Sequence, residues 1–292
     1  MPTTVAHPAD RLLDAIDALG APVCVGLDPV RERMPEPLAG LAPAAALEAF
    51  STGVVRAVAG IVPCVKFQSA CYERFGPDGM RALEASLAAA RECGLVAILD
   101  AKRGDIGVSA QHYEAALAGH YLADWTTVSP YMGMDCVAPF LARSGAFALV
   151  RTSNPGSDEV QAARLTSGET VAQHIAVLVA REGATRVGSR GYSSLGAVVG
   201  ATKAADAAAL RQLMKAQLFL VPGYGAQGGS VADVIPCFHE DGRGAIVTAS
   251  RSVIYPESAG GDWMGAIARA ARQLAREVGD AVIPSRRTAA RA

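Results

Sequence analysis

Eight short apolar runs punctuate this chain, and a stretch of helical character follows each of them. The runs are residues 22–29 (PVCVGLDP), 61–68 (IVPCVKFQ), 95–102 (LVAILDAK), 125–133 (WTTVSPYMG), 146–157 (AFALVRTSNPGS), 195–202 (LGAVVGAT), 218–225 (LFLVPGYG) and 244–251 (GAIVTASR). Strand-like runs that alternate with helices argue for parallel β-α units, because parallel neighbours need a crossover between them. Eight such units close most simply into a (β/α)₈ barrel, for which 292 residues is an ordinary length. The competing architecture is an open doubly wound sheet. Its usual mark, G-x-G-x-x-G after the first strand, is missing.

The helices expected between the runs cover residues 44–58, 80–93, 109–122, 137–142, 159–182 with a break near Ser167 and Gly168, 204–217, 231–239 and 263–278. One more helix, residues 9–19, precedes the first run. Leu12, Leu13, Ile16 and Leu19 give it an apolar face, Asp10 is its expected cap, and Gly20 stops it. Such a helix is expected to cover the bottom of the barrel. The sequence thus reads as a single domain over residues 1–283, with a polar tail, 284–292, expected to be disordered.

Composition narrows the function classes. A net charge of -1 and few aromatic residues give no basic, stacking surface for nucleic acid. No apolar stretch is long enough to span a bilayer, and MPTTVAHPAD lacks the charged-then-apolar pattern of a signal peptide. The six cysteines are scattered, without a C-x-x-C pair, and most lie in apolar runs. That usage fits reduced thiols in a cytoplasmic protein and indicates no zinc site.

The third run ends as L-D-A-K-R-G-D-I-G. Strand alternation points Asp100 and Lys102 the same way, at the mouth of a buried core. Charges in such a place cost several kcal/mol to desolvate. A bare D-x-K is also the pattern of a structural ion pair, so the pair alone does not decide function. Other polar residues gather at the carboxyl ends of the runs: Asp28, Lys66, Ser153 and Arg251. Barrel enzymes build their sites at that face. After the seventh and eighth runs stand VPGYGAQGGS and TASRS. Gly223, Gly225, Gly228 and Gly229 would let backbone N–H groups approach an anion, Gln227 adds a donor, and Arg251 offers a bidentate fork to phosphate.

The run D-A-K-R-G-D-I-G closely resembles the D-x-K-x-x-D signature of the orotidine 5'-phosphate decarboxylase family, and the resemblance extends from about Val23 to Tyr255. It implies a barrel that converts orotidine 5'-phosphate to UMP in pyrimidine biosynthesis without metal or organic cofactor. It makes Lys102 the proton donor to C6, within a charged array of Lys66, Asp100, Lys102 and Asp105. It assigns Asp28 to the ribose hydroxyls, Ser153 to the pyrimidine imide edge, and Gln227 and Arg251 to the phosphate. Ser109 stands where many members carry Thr, and keeps the hydroxyl. The resemblance also implies a homodimer in which Asp105 and Ser109 complete the neighbouring subunit's site. Two other classes stand beside this one. A metal-dependent sugar-phosphate decarboxylase or aldolase, such as 3-keto-gulonate-6-phosphate decarboxylase, shares D-x-K-x-x-D but needs an acidic ligand where this chain has Lys66. A non-catalytic phosphate-binding barrel could lose Lys102, which is present here.

Overall fold

The structure is a computed structural model, and it describes residues 6–225, 228–256 and 261–283. Eight parallel strands close into a barrel in sequence order: β1 (Val23–Leu27), β2 (Cys64–Gln68), β3 (Val96–Arg103), β4 (Trp125–Val128), β5 (Gly145–Arg151), β6 (Leu195–Val199), β7 (Phe219–Val221) and β8 (Ala245–Ala249). β8 pairs with β1, with Val23 opposite Val247, so no sheet edge is left open. Burial on both faces explains the continuous apolar runs. One face of each strand packs inward and the other meets helices.

The longer helices are α1 (Pro8–Leu19), α2 (Pro43–Val58), α3 (Gly76–Glu92), α4 (Gly107–Glu114), α5 (Val171–Gly183), α6 (Ala204–Leu213) and α7 (Trp263–Val282). Short helical turns do the rest, among them Met134–Cys136 and Ala138–Leu141 between β4 and β5. The expected helix over 109–122 is α4 followed by a π-helical turn, Ala115–His120. The expected helix over 159–182 is broken more widely than its glycine suggests. A short helix, Ser157–Gln161, precedes a turn held by the Arg164–Thr170 bridge, and α5 begins after a Thr170–Gln173 capping box. No helix among the described residues is long and apolar enough to cross a membrane.

The hydrophobic residues form two layers. Outside the barrel, Phe50, Val54, Leu83, Leu87, Phe140, Leu210 and Ile267 pack helices against the outward faces of the strands. Inside it, Cys24, Cys64, Val96, Ile98, Trp125, Phe147, Leu218 and Ile246 fill the lower barrel. Ala9, Leu12, Leu13 and Ile16 of α1 belong to this inner cluster, so α1 plugs the amino-terminal end of the barrel as expected. Asp10 is not its cap. His7 occupies that position, and the Asp10 carboxylate instead accepts the backbone N–H groups of Ser189 (2.9 Å) and Arg190 (3.0 Å). With the bottom sealed, the carboxyl ends of the strands remain for chemistry. The tail 284–292 lies outside the described residues.

Candidate active site

A cavity of about 700 Å³ opens at the carboxyl ends of the strands. Asp28, Lys66, Asp100, Lys102, Ser153 and Arg251 all line it. They come from β1, β2, β3, β5 and β8 or the residues just beyond them, which is where the sequence places them.

Asp100 is the centre of the site. Lys66 Nζ donates to its Oδ2 at 2.6 Å, and Lys102 Nζ donates to its Oδ1 at 2.6 Å. Gln68 Nε2 adds a bond to Oδ2 at 3.3 Å, and Thr127 Oγ1 one to Oδ1 at 2.8 Å. Asp28 Oδ1 lies 3.7 Å from Lys66 Nζ. Lys66 and Asp100 are 5% and 6% exposed, so both charges are taken out of water. Burial by itself would raise the Asp100 carboxyl. The ammoniums of Lys66 and Lys102, with their hydrogen bonds, outweigh it and hold that carboxyl far below the usual range. Burial would likewise discharge Lys66, but Asp100 and then Asp28 keep its ammonium more basic than an ordinary lysine.

Lys102 has a φ of +48°, a left-handed backbone that costs a side-chain-bearing residue about 1–2 kcal/mol. The β3–β4 register shifts between Leu99 and Arg103, so regular alternation does not hold through the D-x-K motif. Asp100 and Lys102 still meet, because the long lysine side chain turns back to the carboxylate. Persisting strain of this kind gathers where surrounding contacts over-determine it.

Asp105 and Ser109 do not line the cavity of their own chain. The Asp105 carboxylate accepts the N–H of Ile106 (2.8 Å), and it forms no ion pair with Lys66 or Lys102 among the described residues. Ser109 lies in the first turn of α4. Gln227 lies outside the described residues. The glycines after β7 shape the loop in which they stand. Gly225, Gly228 and Gly229 donate their N–H groups to the loop's own carbonyls, at 2.8, 2.8 and 3.1 Å. Gly223, Gly225 and Gly228 have φ of +98°, +69° and +89°, a backbone that glycine adopts without strain. Arg251 opens the short helix Arg251–Ile254 and lines the same cavity.

The segment that carries Ser153 is pinned from several sides. Gln161 accepts the Thr152 N–H at 2.8 Å and donates to Thr152 Oγ1 at 2.9 Å. Thr202 Oγ1 donates to the Ser153 carbonyl at 3.1 Å. A Cβ on Gly200 would meet Ser153 Cα at 2.9 Å, so glycine there permits the approach. Sequence reasoning missed Gln68, Thr127 and Gln161. Gln68 was legible, since it lies two residues after Lys66 on one strand face. Gln161 was not, because its partner lies across a turn.

Residues 21–259 match the profile of the orotidine 5'-phosphate decarboxylase / HUMPS family. An orotidine 5'-phosphate decarboxylase of Rhodopirellula baltica is 40% identical over 266 residues, covering 85% of this chain and 88% of its own. One from Deinococcus radiodurans is 41% identical over 267 residues, covering 89% and 92%. Among solved structures, the orotidine 5'-phosphate decarboxylase of Leishmania donovani superposes with a TM-score of 0.78 at 27% identity, over 94% of this chain and 98% of that one. With a closed eight-stranded parallel barrel, a Lys66–Asp100–Lys102 array at its mouth and these relatives, the chain belongs to the orotidine 5'-phosphate decarboxylase / HUMPS family.

Proposed function

We propose that this protein decarboxylates orotidine 5'-phosphate to UMP, a step of pyrimidine biosynthesis. The observation that carries the reading is Asp100 bonded at 2.6 Å by both Lys66 and Lys102. Loss of CO₂ leaves a carbanion at C6 of the pyrimidine, with no adjacent carbonyl to accept the charge. The obstacle is electrostatic, and a fixed ammonium at a low-dielectric site answers it. Lys102 would stabilise the developing charge and then deliver a proton to C6. Asp100 keeps Lys102 charged and aimed, while Lys66 balances Asp100, so the array stays compact without a large net charge. Asp28 would hold the ribose, Ser153 the pyrimidine edge, and Arg251 with Gln227 the phosphate. Phosphate binding far from C6 would supply energy for closing the site against water.

Lys66 also weighs against the sugar-phosphate reading, since an ammonium at the end of β2 would repel a divalent cation. The site is proposed to be completed across a two-fold axis in a homodimer. Asp105 forms no ion pair with Lys102 of its own chain among the described residues, and its neighbours Ile106 and Val108 are 61% and 63% exposed. Apolar side chains so exposed suit burial against a second copy. Six cysteines, all free, suit the reducing conditions of a cytoplasmic location. The test of the function is turnover of orotidine 5'-phosphate in heavy water. The UMP formed should carry deuterium at C6, and Lys102→Ala should bind UMP yet form none. Turnover that survives Lys102→Ala would remove the proposed proton donor.

A further inference from the structure

The β3–β4 ladder is interrupted at the catalytic motif, and one side chain fills the interruption. Leu99 pairs with Thr126, and the next pair is Arg103 with Val128. Between those pairs β3 runs through Asp100, Ala101 and Lys102, whereas β4 runs through Thr127 alone. A ladder that skips residues leaves backbone donors without a carbonyl on the neighbouring strand. The Lys102 N–H is such a donor, and Thr127 Oγ1 accepts it at 2.9 Å. The hydroxyl's own proton goes to Asp100 Oδ1 at 2.8 Å, the oxygen that also accepts Lys102 Nζ at 2.6 Å. Thr127 Oγ1 therefore lies in a closed circuit. It runs from the Lys102 backbone through the hydroxyl to the Asp100 carboxylate, and back along the Lys102 side chain to the same residue. Thr127 is 1% exposed, so water has little access to replace it. Both roles need a group that donates and accepts from one atom, which a hydroxyl does and a methyl does not. Beyond the interruption the ladder resumes, with Ser129 N donating to the Arg103 carbonyl at 2.7 Å.

We infer that Thr127 is a positioning residue for the decarboxylation: it holds Lys102 in its left-handed backbone and fixes the Asp100–Lys102 pair toward C6. The inference rests on the decarboxylase reading above and adds to it a residue on β4. It does not place Thr127 in contact with substrate. A misplaced ammonium loses its advantage in the transition state while the ribose and phosphate contacts persist, so the effect belongs to kcat.

The experiment compares wild type, Thr127→Val and Thr127→Ser with orotidine 5'-phosphate as substrate. Val is nearly isosteric and removes the hydroxyl, whereas Ser keeps it. Thr127→Val should lower kcat by about 100-fold, the scale of a small misplacement of a reacting group. Its KM should stay within about threefold of wild type, as expected when ground-state binding is spared. Thr127→Ser should restore kcat to within about threefold, because both hydrogen bonds can re-form. Equal losses in Val and Ser, or a lowered melting temperature with unchanged kcat, would overturn the inference and leave the decarboxylase reading standing. A wild-type protein inert toward orotidine 5'-phosphate would overturn that reading and this inference with it. Should Thr127→Val fail to fold, amide hydrogen exchange of the wild-type protein decides. The Lys102 amide should be protected to a degree similar to Leu99 within the ladder, and exchange at the rate of an unprotected amide would overturn the proposal.

Discussion

Four different side chains donate to the two oxygens of Asp100, and two of them are ammoniums. Removing its charge leaves Lys66 buried with Asp28 at 3.7 Å as its nearest carboxylate. Asp100→Asn should therefore destabilise the fold by about 3 kcal/mol, the scale for breaking a buried pair, as urea unfolding would measure. The pH dependence follows from the direction of the shift. The folded Asp100 carboxyl lies below its unfolded value of about 4, so on acidification the unfolded chain takes up the proton first. The stability it contributes is complete above that value and is lost as pH falls through the folded one. Lys66, raised by its partners, contributes stability that is complete below its unfolded value near 10.4 and is lost as pH climbs through its higher folded value. Between about pH 5 and pH 9 neither group should tilt a plot of unfolding free energy against pH. A steep slope in that window that Asp100→Asn removes would contradict the assignment. Arg251 lines the same cavity, and Arg251→Ala should cost about 3 kcal/mol in kcat/KM for orotidine 5'-phosphate, typical of truncating a charge-assisted contact. It should scarcely alter the slow reaction of the phosphate-free nucleoside. Equal damage to both substrates would place Arg251 elsewhere in the mechanism.

Among the elements, α1 separates stability from chemistry most clearly. Leu12 and Leu13 are buried in the lower barrel, on the opposite end from the Lys–Asp–Lys array. Leu12→Ala should cost about 3 kcal/mol in unfolding free energy through the cavity it leaves, with kcat and KM unchanged below the unfolding range. A matching loss of kcat would show that the plug is coupled to the site. The strands were legible in the sequence because burial on both faces writes them as apolar runs. The plug was legible because its apolar face repeats at helical spacing. The site residues on strand ends, Lys66, Asp100, Lys102, Ser153 and Arg251, could be read because the fold gathers strand ends at one place. Where the reading failed, the cause was contact across long sequence distance. Asp10 looks like a cap until Ser189 and Arg190 are brought beside it. Thr127 is an unremarked residue of WTTV until the register shift opposite it gives its hydroxyl two partners.

For the molecule as a whole, the position of Asp105 within one chain bears on assembly. The carboxylate accepts its own Ile106 N–H, next to the exposed Ile106 and Val108, and makes no ion pair with Lys102 among the described residues. If it serves a partner's Lys102, Lys102→Ala and Asp105→Ala homodimers should each be nearly inactive. Refolded together in equal amounts, they should give hybrids in about half the dimers on random pairing. One site of each hybrid is then intact, and the mixture should regain roughly a quarter of wild-type activity. No recovery from a mixture shown to contain hybrids would rule out the shared site without touching the reaction assignment. The proposed mechanism asks for charge alone, supplied by the Lys102 ammonium bonded to Asp100 at 2.6 Å. The most direct test is the loss of orotidine 5'-phosphate absorbance on mixing with purified protein that has been dialysed against a chelator. The account predicts loss at the undiminished rate, with UMP and CO₂ as products and no response to added Mg²⁺. No absorbance change, or a change that appears only when Mg²⁺ is restored, would contradict it.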